Sequence, residues 1–415
     1  MVDDSERTRR TIEAVWRVES ARLIGGLARF VGDLALAEDL AQEALVAALE
    51  HWPAAGIPQN PGAWLMTTAR NRAVDLRRHE QMRLEKHPTI AADALAPCLD
   101  EPPGEDVGDD LLRLVLVACH PVLSTDARVA LTLRLVGGLT TDEIARAFLL
   151  PEPTVAQRIV RAKRTLTAAR VPFEVPGGGD LAVRLPSALE VIYLIFNEGY
   201  SAAAGDDWVR PELCQDALRL GRILAALVPA EAEVHGLVAL MELHASRMRT
   251  RIDARGEPVL LLDQDRSRWD HLLLRRGLAA LERAEALRRP LGPYTLQAAI
   301  SACHARARTA AETDWNRIVA LYDALVELTR SPVVELNRAV AVSMALGPAA
   351  GLELVDELAL DPALRGYHWV STVRGDLLVR LGRMAEARPE FERAASLAAS
   401  DRERARLLAR ASACG

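Results

Sequence analysis

The chain has 415 residues and a formal net charge of −6, with 50% hydrophobic and 4% aromatic residues. A length of this kind predicts roughly two to four domains, and the abundance of Ala, Leu and Arg favours helices throughout. The acidic balance excludes a protein that coats nucleic acid along its whole length.

Cysteines and terminal patterns exclude several further classes. The five cysteines are scattered without a CxxC pair, which argues against a disulfide framework or a zinc site. Cys119-His120 and Cys303-His304 point about 100° apart on a helix, so we expect them in the core and expect neither metal nor cofactor. The charged start MVDDSERTRRTIEAVWR has no apolar signal segment and no run long enough to span a membrane occurs, so a cytoplasmic protein is expected.

Residues 1–86 form the first predicted domain, a set of helices. Apolar side chains recur at helical spacing until PAAGIPQNPG at 53–62 breaks the pattern with three prolines and two glycines. Another helix with one basic face is expected to begin at Ala63. Its apolar stripe would consist of Trp64, Leu65, Thr68, Ala69 and Leu76.

An acidic segment at 87–108 follows as the predicted linker. Residues 87–110 carry seven Asp and Glu and no Lys or Arg. The plainer interpretation is a solvated tether, and the alternative is a segment that mimics nucleic acid in a basic channel.

The second predicted domain, 109–170, is helical and contains TTDEIARAFLLPEPTVAQRIVRAKRTL at 140–166. This stretch predicts a helix-turn-helix with Thr140 or Thr141 as the first cap. Ala145 supplies the small side chain where the two helices cross, with Ile144 and Phe148 facing the core. Leu149 stands where such motifs usually have glycine.

The second helix of this motif has an inward and an outward face. With Val155, Ile159 and Leu166 inward, the outward side chains are expected to be Thr154, Gln157, Arg158, Arg161 and Lys163. Arginine reads guanine and glutamine reads adenine in the major groove, and the others bind phosphate. The alternative is an ordinary solvated basic face.

The stretch VPFEVPGGGDLAVRLP at 171–186 is the strongest predicted domain boundary, and residues 187–415 form a large helical domain. Near its end, Leu346-Gly347 and Leu381-Gly382 lie 35 residues apart. That spacing is close to the TPR period of about 34 residues and predicts a TPR-like hairpin. The complete chain is therefore expected to be all-α.

Several motifs together resemble one family. LAEDLAQEALVAALEHW at 36–52 and NPGAWLMTTARNRAVDLRRHEQ at 60–81 resemble region two of bacterial sigma-70 factors, and 140–166 resembles region four. Their order across an acidic linker resembles the extracytoplasmic-function (ECF) sigma factors. The resemblance covers about residues 10–170.

The resemblance implies a promoter-specific initiation factor that binds core RNA polymerase at the β′ clamp helices and the β flap. The region-four helix-turn-helix would read the −35 element. The clamp-binding residues would be Asp39, Gln42 and Glu43. The −10 element would be bound, with a flipped-out base near Asn60–Gly62, by Asn60, Trp64, Arg70, Asn71, Asp75, Arg77 and Arg78. Any one of these residues is alternatively plain surface.

The tail also resembles the C-terminal extension of one ECF subgroup, on motifs that include PSALEVIYLIFNEGYSAAAG at 186–205 and LLDQDRSRWD at 261–270. That subgroup carries a TPR-like domain and generally lacks a dedicated anti-sigma factor, which implies control by the tail. Candidate residues for a regulatory pocket are Glu198, Tyr200, Asp263, Asp265, Arg266 and Trp269.

Two interpretations of these tail residues are open. In the structural one, Arg266 pairs with Asp263 or Asp265 and Trp269 lies in a core; in the other, they line a pocket for a ligand or protein. No nucleophile–base set, phosphate loop or metal signature is visible, so no enzyme is expected. The competing functions are a DNA-binding regulator with a TPR-like sensor and an enzyme fused to a DNA-binding head. The region-two match favours the initiation factor over both.

Overall fold

The computed structural model describes residues 2–86, 107–148, 150–174, 179–200, 211–253, 258–398 and 401–415. Regular structure within these ranges is helical, and the one strand-like pairing there is an isolated antiparallel bridge between Ile252 and Pro258. The predicted all-α class is therefore confirmed. No helix in the described ranges is long and apolar enough to cross a membrane.

The chain divides into two compact units. The first unit comprises Met1–Gly199 and Arg210–Leu227, and the second comprises Tyr200–Val209 and Val228–Gly415. The division does not coincide with the boundary expected at 171–186. The helix Gly179–Tyr200, which begins inside that stretch, and the helix Pro211–Leu227 belong largely to the first unit. The acidic linker expected at 87–108 falls mostly outside the described residues.

Three helices open the first unit: α1 (Val2–Val31), α2 (Leu34–Ala55) and α3 (Pro61–Lys86). The Asp33 carboxylate accepts a hydrogen bond of 2.8 Å from the Leu36 amide and so caps α2. The Asn60 side-chain oxygen accepts one of 3.1 Å from the Ala63 amide. Because Asn60 is the cap, α3 begins at Pro61, two residues before the predicted start.

The apolar stripe of α3 is shorter than the sequence pattern indicates. Leu65, Ala69 and Ala73 are buried at four-residue steps, whereas Leu76 is exposed. The expected burial of Leu76 is wrong, because burial along α3 ends with Ala73 among the described side chains.

Four shorter helices follow: α4 (Val107–Ala118), α5 (Thr125–Leu135), α6 (Thr141–Phe148) and α7 (Glu152–Ala168). The Glu143 amide donates to the Thr140 hydroxyl at 3.1 Å, and the Thr140 amide donates to the Glu143 carboxylate at 2.8 Å. This capping box starts α6 at the expected cap. Ile144 and Ala145 are buried as predicted, Phe148 is half-buried, and Leu149 lies outside the described residues.

Two more helices pack onto this bundle: α8 (Gly179–Tyr200) and α9 (Pro211–Leu227). The Ser187 hydroxyl donates to the backbone oxygen of Cys119 at 2.6 Å. The Arg128 guanidinium donates to the Ser187 hydroxyl and, at 3.0 Å, to the Glu190 carboxylate. These bonds attach α8 to the α4–α5 pair, and Cys119 is buried as expected.

The second unit is a succession of helices: α10 (Ala232–Ser246), α11 (His271–Ala286), α12 (Pro293–Arg306), α13 (Trp315–Thr329), α14 (Pro332–Ala345), α15 (Pro348–Leu358), α16 (His368–Arg380), α17 (Met384–Leu397) and α18 (Asp401–Ser412). Gly347 and Gly382 have φ of 101° and 74°. Each lies in the turn of a hairpin, α14–α15 and α16–α17 respectively. The predicted Leu-Gly repeat is thus a pair of successive helical hairpins, as in a TPR-like domain.

Candidate nucleic-acid interface

Helix α7 presents a polar face along its N-terminal half. Thr154, Gln157 and Arg161 are exposed there. The opposite stripe is buried and consists of Val155, Ile159, Ala162 and Leu166. The predicted inward face is therefore confirmed, and the three exposed side chains have the donors and acceptors that read base edges and phosphates.

Arg158 lies beside this face but has an intramolecular partner. Its guanidinium is 3.2 Å from the Asp126 carboxylate of α5. Asp126 is largely exposed, and an ion pair with such a partner adds little stability. Arg158 is therefore free to exchange Asp126 for another anion in the groove of about 390 Å³ that separates the start of α5 from α7.

Lys163 does not face solvent with Arg161, so the expected outward position of Lys163 is wrong. Residues two apart on a helix point about 200° apart, and the two side chains cannot share one face. The Lys163 ammonium instead pairs with the Glu38 carboxylate of α2. Whether it binds DNA in another arrangement stays a prediction.

Helix α3 carries a second polar face. Trp64, Asn71, Asp75 and Arg78 follow one another at steps of seven, four and three residues, which places them on one side of a helix. Asn71, Asp75 and Arg78 are exposed. Trp64 is half-buried and meets the buried Trp52 edge-on, with ring centroids 5.3 Å apart. The face thus combines an anchored aromatic ring with exposed groups suited to single-stranded nucleic acid.

The other residues expected on this face lie in different settings. Arg70 is half-buried, with its guanidinium carbon 5.7 Å from the centroid of the Phe30 ring. The Asn60 side-chain oxygen is already engaged in capping α3. The Arg77 side chain lies outside the described ones.

An acidic surface lies on α2. Asp39 and Glu43 are exposed and four residues apart, so they share one face of the helix. Glu43 pairs with Arg72 of α3 at 2.7 Å. Gln42 is half-buried and donates a hydrogen bond of 2.9 Å to the Glu38 carboxylate. The surface therefore offers carboxylates to a cationic partner.

The polar residues singled out in the tail do not pair as the structural interpretation expects. Asp263 and Asp265 are exposed, and Asp265 caps a short 3₁₀ turn. The Arg266 guanidinium donates to the backbone oxygens of His304 at 2.6 Å and Ala307 at 2.8 Å. The expected pairing of Arg266 with either aspartate is wrong, because Arg266 satisfies carbonyls left unpaired at the end of α12.

Trp269, Glu198 and Tyr200 have separate environments. Trp269 is buried, as the structural interpretation expects, with the Arg266 guanidinium carbon 5.3 Å from its ring. Glu198 belongs to the first unit, where it lines a cavity of about 190 Å³ with Leu194 and Phe148. Tyr200 belongs to the second unit.

The surroundings of Tyr200 contain residues that the sequence did not single out. The His244 ring stacks on Tyr200 with centroids 5.1 Å apart, and the Arg251 guanidinium carbon lies 3.8 Å from the same ring. Burial and the charges of Arg247 and Arg251 hold the pKa of His244 well below its usual value. These residues have no common motif, so only their assembly in the fold could identify them.

His304 is a second histidine of this kind. Burial, Arg247 and Arg266 lower its pKa to about 4. Its ring meets Trp315 edge-on at 5.2 Å between centroids. Both histidines are neutral at neutral pH, and no group of three or more His, Cys, Asp or Glu among the described residues is placed to hold a metal ion.

Three family models match the chain in succession. Sigma-70 region 2 matches residues 17–83, and sigma-70 region 4 matches residues 113–166. A family of unknown function, DUF6596, matches residues 184–285. The α3 and α7 polar faces thus lie in two separately matched segments.

Curated relatives fall into two groups. An uncharacterised protein of Rhizobium meliloti (strain 1021) is 45% identical, over 92% of this chain and 90% of its own length. The ECF RNA polymerase sigma factor SigL of Mycobacterium tuberculosis (strain ATCC 25618 / H37Rv) is 31% identical, over 33% of this chain and 76% of SigL. The probable ECF RNA polymerase sigma factor SigI of the same strain is 30% identical, over 40% of this chain and 57% of SigI.

Among solved structures, yeast Tom70 aligns over 92% of this chain and 81% of its own, at 12% identity and a TM-score of 0.31. A TM-score of that size supports no comparison of folds.

Proposed function

The chain belongs to the ECF RNA polymerase sigma factors of the sigma-70 family, and we propose that it directs core polymerase to promoters by reading two DNA elements with two helices. Helix α7 would read the −35 element, and α3 would capture the −10 element. The observation that carries this proposal is the presence of one exposed polar face in each matched region.

Reading of the −35 duplex is assigned to Thr154, Gln157, Arg158 and Arg161. A protruding helix with exposed Gln and Arg fits the major groove, where these side chains distinguish adenine and guanine by paired hydrogen bonds. Release of Arg158 from the exposed Asp126 carboxylate requires little free energy, because that ion pair is largely solvated.

Capture of the −10 element is assigned to the α3 face. An extruded base needs a stacking surface and groups that bind its edge and the backbone. Trp64, fixed against Trp52, provides the ring, and Asn71 and Arg78 provide donors. The predicted contributions of Asn60, Arg70, Asp75 and Arg77 belong to the same proposal.

Polymerase binding is assigned to Asp39, Gln42 and Glu43, with the β′ clamp helices as the partner of α2 and the β flap as the partner of region 4. Exposed carboxylates on one helix face suit a cationic surface. The proposed function is that of an initiation factor, which catalyses no reaction itself.

Control is assigned to the tail in place of a dedicated anti-sigma factor. The supporting observation is the attachment of α8 and α9 to the region-4 helices. Arg128 bonds to Ser187 and Glu190, and Arg219 of α9 donates to the backbone oxygen of Gly137 at 2.6 Å. A signal that moved α8 would therefore act directly on the helices that carry the −35 reader.

The proposal is tested by transcription with purified bacterial core polymerase on a library of promoters with randomised −35 and −10 elements. We expect initiation from a restricted set of sequences. Arg161→Ala should relax selection at the −35 element by about tenfold, the value of one lost base contact. Asn71→Ala should instead relax sequence selection at the −10 element.

The matched control is Arg276→Ala, which removes an exposed helical arginine of α11 in the second unit. It should leave both selections unchanged. If the full-length protein neither binds core polymerase nor initiates from any library member, the proposed function is wrong.

A further inference from the structure

Glu38 is a buried carboxylate at the junction of the two sigma regions. Its side chain is 4% exposed although it lies on α2, one residue before the exposed Asp39. A buried charge requires charged or hydrogen-bonding partners, because burial removes its hydration. The identity of those partners shows what the carboxylate holds together.

Two cations from region 4 converge on Glu38. Arg134 of α5 donates from Nε at 3.0 Å, and the Lys163 ammonium of α7 pairs with the other carboxylate oxygen. Gln42 of α2 completes the set at 2.9 Å. One carboxylate of region 2 thus pairs with two cations of region 4.

A second polar contact joins the same two regions. Asp110 of α4 is 5% exposed and lies 3.4 Å from Arg29 of α1 and 2.6 Å from Arg113. The backbones are close here, since a Cβ at Gly25 would lie 2.9 Å from the Asp110 carbonyl oxygen. Regions 2 and 4 are therefore in direct contact, through charged groups and a close approach of their backbones.

The groups around Glu38 also belong to, or lie beside, the surfaces proposed to bind polymerase and DNA. Gln42 and the neighbouring Asp39 belong to the proposed polymerase surface, and Lys163 belongs to the predicted DNA-binding set. Lys163 is paired within the protein in this arrangement, and its side chain is only 17% exposed. An ammonium that leaves Glu38 needs another anion, and a DNA phosphate supplies one.

We propose that Glu38, Arg134 and Lys163 form a latch that holds region 4 against region 2 in the free protein and that opens when polymerase and promoter engage these surfaces. The inference rests on the proposed function for what opens the latch, but not for its existence. Opening exposes all three charged groups to water. Arg134 also donates a hydrogen bond of 3.2 Å to the Leu139 carbonyl within region 4, which does not depend on Glu38.

The test uses the full chain with two spin labels, each attached to a non-natural amino acid that replaces an exposed residue. The labelled positions are Glu50 of α2 and Thr167 of α7. Pulsed EPR gives the distance between the labels, and titration gives the affinity for core polymerase. Glu38→Gln leaves Arg134 and Lys163 without a counter-charge, so the distance should lengthen. Affinity for core should rise about fivefold or more, because a larger fraction of the protein is open.

Arg134→Gln is the second variant, since it weakens the latch from outside the polymerase surface. It should shift distance and affinity in the same direction by a smaller factor, because Lys163 still pairs with Glu38. The matched control is Glu13→Gln, which removes an exposed ion pair with Arg9 within α1 and should change neither quantity.

Unchanged distances in both variants, with native circular dichroism, would overturn the latch. If Glu38→Gln does not fold, the distance in Arg134→Gln decides the question alone. Longer distances without tighter core binding would overturn the coupling to polymerase. If the wild-type chain does not bind core at all, the proposed function fails while the distances still test the contact itself.

Discussion

At the scale of single residues, the charged side chains of this protein owe their properties to partners that lie far away in the sequence. Arg266 is occupied by backbone carbonyls at the end of α12, and Lys163 is occupied by Glu38. His304 lies among Arg247, Arg266 and Trp315, and its pKa falls to about 4. Each of these environments makes a measurable difference to charge or stability.

His304 leads to a prediction about stability and pH. Its folded-state pKa of about 4 lies below the ordinary value of 6.5, so the unfolded chain binds the extra proton first as pH falls. The contribution of neutral His304 to the free energy of unfolding is therefore present above pH 6.5 and is lost as pH falls towards 4. Since the ring is only partly buried, we expect the loss to reach roughly 2 kcal/mol.

The measurement is denaturant unfolding of wild type and His304→Gln between pH 7 and 4. Glutamine cannot take the proton. As pH falls, the unfolding free energy of wild type should therefore decrease by roughly 2 kcal/mol more than that of His304→Gln. A difference that stays constant across this range would show that His304 titrates normally in the folded protein.

At the scale of secondary-structure elements, caps and turns set where the helices begin and end. Asn60 and the Thr140–Glu143 capping box fix the first turns of α3 and α6, which carry or support the proposed DNA-binding faces. In the second unit, Gly347 and Gly382 set the hairpin turns. These devices are local, which is why sequence patterns indicated the motif and the repeat correctly.

Gly382 gives a prediction about the hairpin turn. Its φ of 74° favours glycine, and a Cβ added there would meet no atom within 4 Å. Gly382→Ala should therefore destabilise the second unit by about 1 kcal/mol through backbone strain alone. Thermal or denaturant unfolding measures this change directly.

Gly366→Ala is the matched control, because a Cβ at Gly366 also meets nothing within 4 Å but Gly366 has no positive φ. It should be neutral or slightly stabilising, since alanine reduces the entropy of the unfolded chain. Equal destabilisation by both substitutions would contradict the assignment of the effect to φ.

In the molecule as a whole, α8 and α9 belong largely to the first unit, although a domain boundary was expected at the Pro- and Gly-containing stretch 171–186, within which α8 begins. Helix α8 buries a strongly apolar side, including Val191, Ile195 and Phe196. The matched DUF6596 segment, 184–285, therefore spans parts of both units. Such an arrangement makes the start of the tail a structural part of the sigma regions.

Truncation tests this arrangement. A chain ending at Leu227 retains α8 and α9, whereas a chain ending at Pro176 loses them and uncovers apolar surface on the region-4 helices. We expect the chain that ends at Leu227 to unfold at a temperature about 5 °C or more above that of the chain that ends at Pro176. We also expect the chain that ends at Leu227 to stay monomeric on size-exclusion chromatography. If the two truncations unfold at the same temperature, α8 and α9 add nothing to the first unit.

Sequence patterns alone establish the helical class, the helix-turn-helix with its buried stripe, the hairpin repeat and the family, because periodicity, caps and turns depend on neighbours within one or two helical turns. The proposed promoter and polymerase residues stay predictions. Three outcomes follow only from the three-dimensional fold: Lys163 pairs with Glu38, Arg266 donates to backbone carbonyls, and α8 and α9 join the first unit. Those outcomes depend on which helices pack together, and the partners of a buried charge are fixed by that packing rather than by sequence spacing.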